Sequence, residues 1–318
     1  MKIKIPDIAK QIYSEDVLNV FENNYPIIGT LWVKHQMDWS NRVYSMFKDH
    51  TKGMIVIYLI RKTLDFYSKN FIKLSYEQYY SKTSVALGKF NTIEISKNLA
   101  IPKESARRKL FELENQGVIK RDRENIIIDR STFPFIKPDD SINRISIFLS
   151  VFSEKLVQEK ILPNSLTSKA LIKILEKNFT HIWKLFYDMQ ISMMLSYKKF
   201  FIDLETWHIF GTCVVNQHLY PKTLNKIKMN RIEFINSFIL NNDMTGINAM
   251  SISDITGIPR ATVVRKLQKL LKLNFLLIDK KKHYILSGFL VKKVIPLQNI
   301  VLKQLTNFST KVYNLALL

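Results

Sequence analysis

Two short basic phrases in the sequence carry the residue types that bind phosphate groups and the edges of nucleic-acid bases. The first is AIPKESARRKLFELE at residues 100–114, and the second is GIPRATVVRKLQKLL at residues 257–271. Lysine and arginine donate hydrogen bonds to phosphate oxygens, and one guanidinium group can bind both acceptor atoms of a guanine edge. The chemistry that these phrases suggest is therefore the binding of a polyanion.

If each phrase forms a helix, the residues opposite its apolar stripe are the candidate contact residues. The stripes are Ala106, Leu110 and Leu113 in the first phrase and Val263, Leu267 and Leu270 in the second. The outward candidates are Lys103, Glu104, Ser105, Arg107 and Arg108 in the first phrase and Arg260, Thr262, Val264 and Arg265 in the second. The tips of the two hairpins that follow add Arg121, Arg123, Lys280, Lys281 and Lys282.

The two phrases belong to a longer repeat. Residues 95–129 align without a gap on residues 252–286, a spacing of 157 positions, with ten identities. Residues 143–156 match residues 299–312 at a spacing of 156, so the repeated unit continues into a further helix. Two copies are too few for a solenoid, and a tandem duplication with its boundary near residue 160 is the simpler interpretation.

Turn and capping signals predict the elements around each phrase. In the second copy, Ser251 is a candidate N-cap for a short helix, and Gly257 permits a turn into a helix that runs to about Leu273. Two strands, FLLID and HYIL, follow and are joined by KKK. The first copy has the same order, with its turn at Ala100 and the strands VIKR and NIIID.

A helix, a tight turn, a second helix and a hairpin form the winged helix-turn-helix arrangement. The pattern ISxxxxIPxxSxRRKLxxLxxxGVI resembles the DNA-binding domains of the cyclic-AMP-receptor/Fnr, IclR and MarR groups of bacterial transcription regulators. The resemblance covers about 40 residues in each copy. It implies a mainly α fold that duplicates a winged helix-turn-helix unit, with small two-stranded wings and long scaffold helices before and after each copy.

The expected domains are residues 1–160, with a winged helix at about 90–130, and residues 161–318, with a winged helix at about 230–288. In receptor/Fnr-type domains an Arg-Glu pair and an arginine four residues later contact the bases. Lys103, Glu104 and Arg108 stand at those places, with lysine replacing the first arginine. The resemblance thus implies that Arg108 binds guanine and that Glu104 accepts from cytosine. The second copy lacks the acid, and Thr262 and Val264 are candidates to touch thymine methyl groups.

Composition agrees with a polyanionic partner. The chain has 48 lysines and arginines against 27 acids, which gives a net charge of +21. An excess of this size is typical of nucleic-acid-binding proteins, although an AT-rich genome would also enrich lysine codons. Cys213 is the only cysteine, and His35, His50, His181, His208, His218 and His283 lack metal-ligand spacing. We expect no metal, no cofactor and no enzymatic activity.

The main hypothesis is a sequence-specific double-stranded DNA-binding protein, a transcription regulator whose two winged helices act as a pseudo-dimer on half-sites about one helical turn apart. A plasmid or phage replication initiator and a winged-helix scaffold that binds other proteins are the alternatives. RNA polymerase or another protein is a candidate partner, and homo-oligomerisation is left open. The sequence shows no signal peptide and no long apolar run, so we expect a cytoplasmic, nucleoid-associated protein without membrane contact.

Overall fold

A computed structural model describes residues 8–89, 91–122, 125–129, 137–218, 229–240 and 246–318. The fold is mainly helical, which confirms the expected class. The helices are α1 (Ser14–Asn23), α2 (Tyr25–Phe47), α3 (His50–Lys69), α4 (Tyr76–Tyr80), α5 (Thr92–Asn98), α6 (Lys103–Asn115), α7 (Asp139–Gln158), α8 (Ser168–Lys177), α9 (Phe179–Phe201), α10 (Leu204–His218), α11 (Arg231–Leu240), α12 (Ala249–Thr256), α13 (Arg260–Lys272) and α14 (Leu290–Ala316). The strands are β1 (Ser84–Lys89), β2 (Ile119–Asp122), β3 (Asn125–Asp129), β4 (Leu276–Ile278) and β5 (Tyr284–Leu286).

The long helices α2 and α9 begin and end in the same way. Each has 23 residues and follows an asparagine, Asn24 or Asn178, whose amide donates to the carbonyl four residues earlier at 2.9 Å and 3.1 Å. The residue after each helix has a positive φ, 50° at Lys48 and 75° at Ile202. The chain therefore turns sharply at both places, and α3 and α10 run back along the helices before them.

Helices from the two halves of the chain pack on each other in matching pairs. α3 packs on α9 as α10 packs on α2, and α7 packs on α8 as α14 packs on α1. Each of these four contacts joins an element before residue 160 to one after it. The halves consequently share one buried core, which includes Phe148, Phe152 and Trp183.

The segments before α1 and α8 are held by the last helix of the opposite half. The amide of Asn314 in α14 accepts from the Ile12 N–H at 2.8 Å and donates to the Ile12 carbonyl at 3.0 Å. The hydroxyl of Ser153 in α7 accepts from the Leu166 N–H at 2.9 Å. These three backbone groups are thus satisfied by side chains and not by a sheet or helix partner.

The two small sheets differ in size. β1, β3 and β2 form a three-stranded antiparallel sheet in that order, in which Val85 lies opposite Ile128. β4 and β5 form a two-stranded sheet, and an isolated bridge joins Ile247 to Tyr284. The hairpin of β2 and β3 after α6 is two-stranded as expected, but β1 adds a third strand to its sheet, which the sequence did not predict. β1 precedes the repeated block in the sequence, and its pairing with β3 is a long-range contact that local pattern does not reveal.

Candidate nucleic-acid interface

The turn between α5 and α6 is fixed by a hydrogen bond from a serine side chain. The Ser96 hydroxyl donates to the Ile101 carbonyl at 2.7 Å, and the Ile101 N–H donates to the Ser96 carbonyl at 3.0 Å. Ala100, inside the turn, has φ of 49°. These bonds hold the start of α6 at a fixed angle to α5.

The turn between α12 and α13 uses the same bond. The Ser253 hydroxyl donates to the Ile258 carbonyl at 2.7 Å, and Gly257 has φ of 68°. Ser96 and Ser253 are 157 positions apart, so the repeat spacing places the same bond in both turns. The prediction that Ser251 caps α12 is wrong, because the Asn248 side chain is the cap and accepts from the Ser251 N–H at 2.9 Å.

The inner faces of α6 and α13 are the predicted stripes. Ala106, Leu110 and Leu113 are fully buried in α6, and Val263, Leu267 and Leu270 are fully buried in α13. Burying such a stripe at helical spacing fixes which residues of each helix face outward.

One lysine in each of these helices forms an ion pair with the scaffold, and the two lysines are 157 positions apart. Lys109 of α6 pairs with Asp49, the N-cap of α3, and Lys266 of α13 pairs with Asp203 at 2.6 Å, at the start of α10. Burial would raise the pKa of Asp203, but hydrogen bonds from Lys266 and Thr206 hold it below its usual range. The Asp203 carboxylate is therefore charged, which maintains its ion pair with Lys266.

The outward face of α6 carries the candidates of the first copy. Lys103, Glu104, Arg107 and Arg108 are exposed, and Ser105 is half-buried. Glu104 lies 2.7 Å from the Arg107 guanidinium, and Arg108 lies 3.7 Å from Glu112. Both arginines therefore have an acidic neighbour on their own helix.

The outward face of α13 is more uniformly basic. Arg260 and Arg265 are exposed, and neither forms an ion pair within the part of the chain that the structure describes. Thr262 and Val264 are half-buried and leave part of each side chain at the surface. The two faces thus differ in charge as well as in sequence.

The hairpins place further cations beside these helices. Arg121 is exposed and lies 3.0 Å from Glu114 at the end of α6, so the first hairpin is tied to its helix. Arg123 lies outside the described residues. Lys280, Lys281 and Lys282 are exposed in a turn that Asp279 stabilises by accepting from the Lys281 and His283 N–H groups at 2.8 Å.

A contact between the two halves at the first turn was not predictable from the sequence. Lys198 of α9 donates to the carbonyls of Leu99 and Ala100 at 3.3 Å and 2.7 Å. Its position in a long aromatic helix gave no sign of this role. The anchoring ion pairs were easier to infer from the sequence, because Lys109 and Lys266 are identical residues at aligned positions of the repeat. Their partners Asp49 and Asp203 are 154 positions apart, which differs from the spacing of 157 between the lysines.

Other reactive groups form no metal site in the described residues. No cluster of three or more histidine, cysteine or acidic side chains suited to a metal ion occurs among them. Burial raises the pKa of the Cys213 thiol to about 12, so this group stays protonated. The helices of the described ranges also include none with the length and apolar character needed to cross a membrane.

Comparison with protein-family models, with curated proteins and with solved structures finds no match to this chain. The features that bear on function are therefore the two serine-held turns and the exposed cations of α6 and α13.

Proposed function

We propose that the chain is a sequence-specific double-stranded DNA-binding protein, built by duplication of a winged helix-turn-helix unit and acting in transcription regulation. The observation that carries the proposal is the outward face of α6 and of α13. In each, the second helix of a helix-turn-helix pair buries an apolar stripe and exposes cations in its first two turns. Such a helix is the element that enters the major groove in this class of domain.

The order of elements supports the winged-helix part of the proposal. The sheet order β1-β3-β2 and the hairpin directly after α6 match a winged-helix arrangement, with β1 before the helix pair. The second copy has the hairpin β4-β5, and the bridge at Ile247 occupies the place of β1.

Three features support the duplication. The serine-held turns and lysine anchors recur at a spacing of 157, and α1–α3 correspond to α8–α10 at a spacing of 154. The helix contacts between the halves are reciprocal, as in a two-fold dimer. A protein of this kind presents two non-identical reading helices to one DNA site, and we place it with the nucleoid.

The two faces are expected to act differently. In α6 the Glu104–Arg107 pair favours selective contact, because the Glu104 carboxylate repels phosphate but can accept a hydrogen bond from a base such as cytosine. In α13, Arg260 and Arg265, which form no ion pair with the residues that the structure describes, favour strong phosphate or guanine contacts.

Selection of bound sequences from a random DNA pool, followed by gel-shift titration of the selected site, tests the proposal. We expect an asymmetric site with two half-sites about one helical turn apart, and an affinity that falls steeply with salt. Arg108→Ala and Arg265→Ala should each weaken specific binding by about 1–3 kcal/mol. Lys169→Ala, an exposed lysine on α8, is the charge-matched control and should bind as the parent does.

No binding to DNA, or binding that does not depend on salt, would refute the proposal. If the chain binds the selected site and both arginine variants bind it as the control does, α6 and α13 are not the reading helices.

A further inference from the structure

A side chain from the second half of the chain closes the turn between α5 and α6. The Lys198 ammonium group of α9 donates to the Ala100 carbonyl at 2.7 Å and to the Leu99 carbonyl at 3.3 Å. Carbonyls at the end of a helix lack a donor within that helix, and an ammonium group is a stronger donor than a neutral group. Lys198 therefore supplies the first turn with hydrogen bonds that its own helix cannot give.

The backbone of this turn is in a conformation that its sequence does not favour. Ala100 has φ of 49°, in the left-handed region where a Cβ atom comes close to the following carbonyl oxygen. Gly257, at the same place in the second turn, has φ of 68° and carries no Cβ atom. A residue held in this region persists only where its surroundings fix it, and Lys198 bonds to the Ala100 carbonyl itself.

The second turn is held by residues of its own. The Thr256 hydroxyl accepts from the Ile258 N–H at 3.2 Å and donates to the Ile252 carbonyl at 2.7 Å. Leu99 stands at that place in the first turn, 157 positions earlier, and its apolar side chain can form neither bond. The second turn thus has both a glycine for its conformation and a hydroxyl for its backbone groups.

The first half of the chain supplies no equivalent of Lys198. Tyr44 of α2 stands 154 positions before Lys198, and its ring packs against His50 with 5.2 Å between centroids. Within the described ranges, no side chain donates to the carbonyls of Thr256 and Gly257. A contact of this kind between the halves is therefore present at the first turn and absent from the described surroundings of the second.

The turn leads directly into α6, so its hold affects the direction of that helix. Lys109, in the middle of α6, pairs with Asp49 of the same half. Lys198 acts at the other point, just before Lys103, the first residue of the helix. The two points are about 9 Å apart along the helix axis, because each residue rises ~1.5 Å. A helix held at both points has a fixed direction, whereas one held only at Lys109 can pivot.

We propose that Lys198 is a positioning residue, through which the second half of the chain fixes the direction of α6 on DNA. α13 takes its direction from the residues of its own turn. This inference rests on the proposed function, in which α6 and α13 each contact DNA. It adds that the two half-sites respond differently to the loss of one lysine that contacts neither of them.

Hydrogen exchange measured by NMR on the free chain tests whether Lys198 holds the turn. Lys198→Met keeps the length of the side chain and removes its donor. We expect the Ile101 amide, which donates to the Ser96 carbonyl inside the turn, to exchange about tenfold faster. The Ile258 amide of the second turn is the internal reference and should not change.

Two further variants separate the lysine's bonds from its charge. Lys199→Met is the matched control, because Lys199 is the next residue of α9 and is exposed. It should exchange as the parent does. Ala100→Gly supplies the residue that suits the left-handed conformation, so adding it to Lys198→Met should restore exchange to within about twofold of Ala100→Gly alone. Should Lys198→Met not fold, Lys198→Gln, whose shorter side chain cannot reach both carbonyls, replaces it with the same expectations.

Gel shifts with the selected DNA test the effect on binding. The half-site whose contribution Arg108→Ala reduces is the one that α6 contacts. Lys198→Met should lower discrimination at that half-site about threefold to tenfold, and at the other by no more than about twofold. The slope of log affinity against log salt should stay the same, whereas loss of a phosphate contact would reduce it by about 0.9.

Three results would overturn the inference. One is an Ile101 exchange rate in Lys198→Met equal to that of Lys199→Met, whatever the DNA result. Another is faster exchange with unchanged discrimination at both half-sites, and the third is a salt slope reduced by a full phosphate contact. Failure of the parent to bind DNA would instead refute the proposed function, and the exchange rates would still show whether Lys198 holds the turn.

Discussion

Gln36 of α2 and Gln190 of α9 hydrogen-bond to each other in both directions, amide nitrogen to amide oxygen, at 3.1 Å each way. Both side chains are buried, and the residues are 154 positions apart. This spacing is also that of Asn24 and Asn178, and of Asp49 and Asp203. If the chain is duplicated as we propose, these two glutamines are counterparts that pair with each other, as residues on the axis of a two-fold arrangement do.

The reciprocal pair gives a first prediction. Gln36→Leu should lower the free energy of unfolding by about 1–3 kcal/mol, because it leaves the Gln190 amide buried without its partner. Replacing both glutamines with leucine should recover most of this loss, since two apolar groups need no hydrogen bond. Urea unfolding of the parent, both single variants and the double variant measures the coupling. Additive losses in the double variant would show that the two amides do not act as a pair.

The Glu104–Arg107 pair predicts a change in DNA selectivity. Glu104→Gln removes a negative charge from the outward face of α6 and releases the Arg107 guanidinium. Non-specific DNA binding should strengthen by about 1 kcal/mol or less, and discrimination at the base that Glu104 reads should fall by about 1–3 kcal/mol. Competition gel shifts with the selected site and with random DNA measure both. Glu15→Gln, an equal change of charge at an exposed site on α1, should leave the ratio unchanged.

The second hairpin predicts a change in salt dependence. If Lys280, Lys281 and Lys282 bind phosphates, replacing all three with alanine should reduce the slope of log affinity against log salt by about 0.9 for each phosphate that is no longer neutralised. Sequence preference should stay the same, because phosphate contacts carry no base information. The matched control is the triple alanine variant of Lys169, Lys173 and Lys177, exposed lysines of α8. Equal slopes for the two triple variants would contradict a role for this hairpin.

His35 predicts how stability depends on pH. Burial, with a smaller effect from Arg144, lowers the pKa of His35 to about 3, and neither ring nitrogen has a partner among the described residues. The unfolded chain has a pKa near 6.5 at this group and binds the proton first, so its contribution to stability falls as pH drops below ~6.5. Between pH 7 and pH 5 the loss should be about 2 kcal/mol.

The other half of the protein supplies the variant for this test. Met189 stands 154 positions after His35, so His35→Met copies the residue that α9 carries at the equivalent place. Urea unfolding at pH 7 and pH 5 should show a smaller loss of stability for the variant than for the parent. Identical losses would mean that His35 is not the group that titrates. His181 and His208, whose pKa values burial also lowers, would then be the candidates.

The sequence by itself determined the local elements of the repeated block. The spacing of Leu110 and Leu113, and of Leu267 and Leu270, predicted two amphipathic helices whose inner faces are buried as expected. The short helix before each of them and the hairpin after it also followed from nearby residues. Such features depend on helical periodicity and turn chemistry, which act over a few residues.

Only the tertiary structure decided which distant residues meet. The pairing of β1 with β3, the anchors at Asp49 and Asp203, and the Gln36–Gln190 pair all join residues that no local pattern relates. The correspondence of α1–α3 with α8–α10 was not visible in the sequence. Identities between these helices are sparse, because apolar side chains of different shapes can fill the same core. A buried hydrogen bond needs one partner at one place, so polar residues such as these support the proposed duplication more directly than the apolar core does.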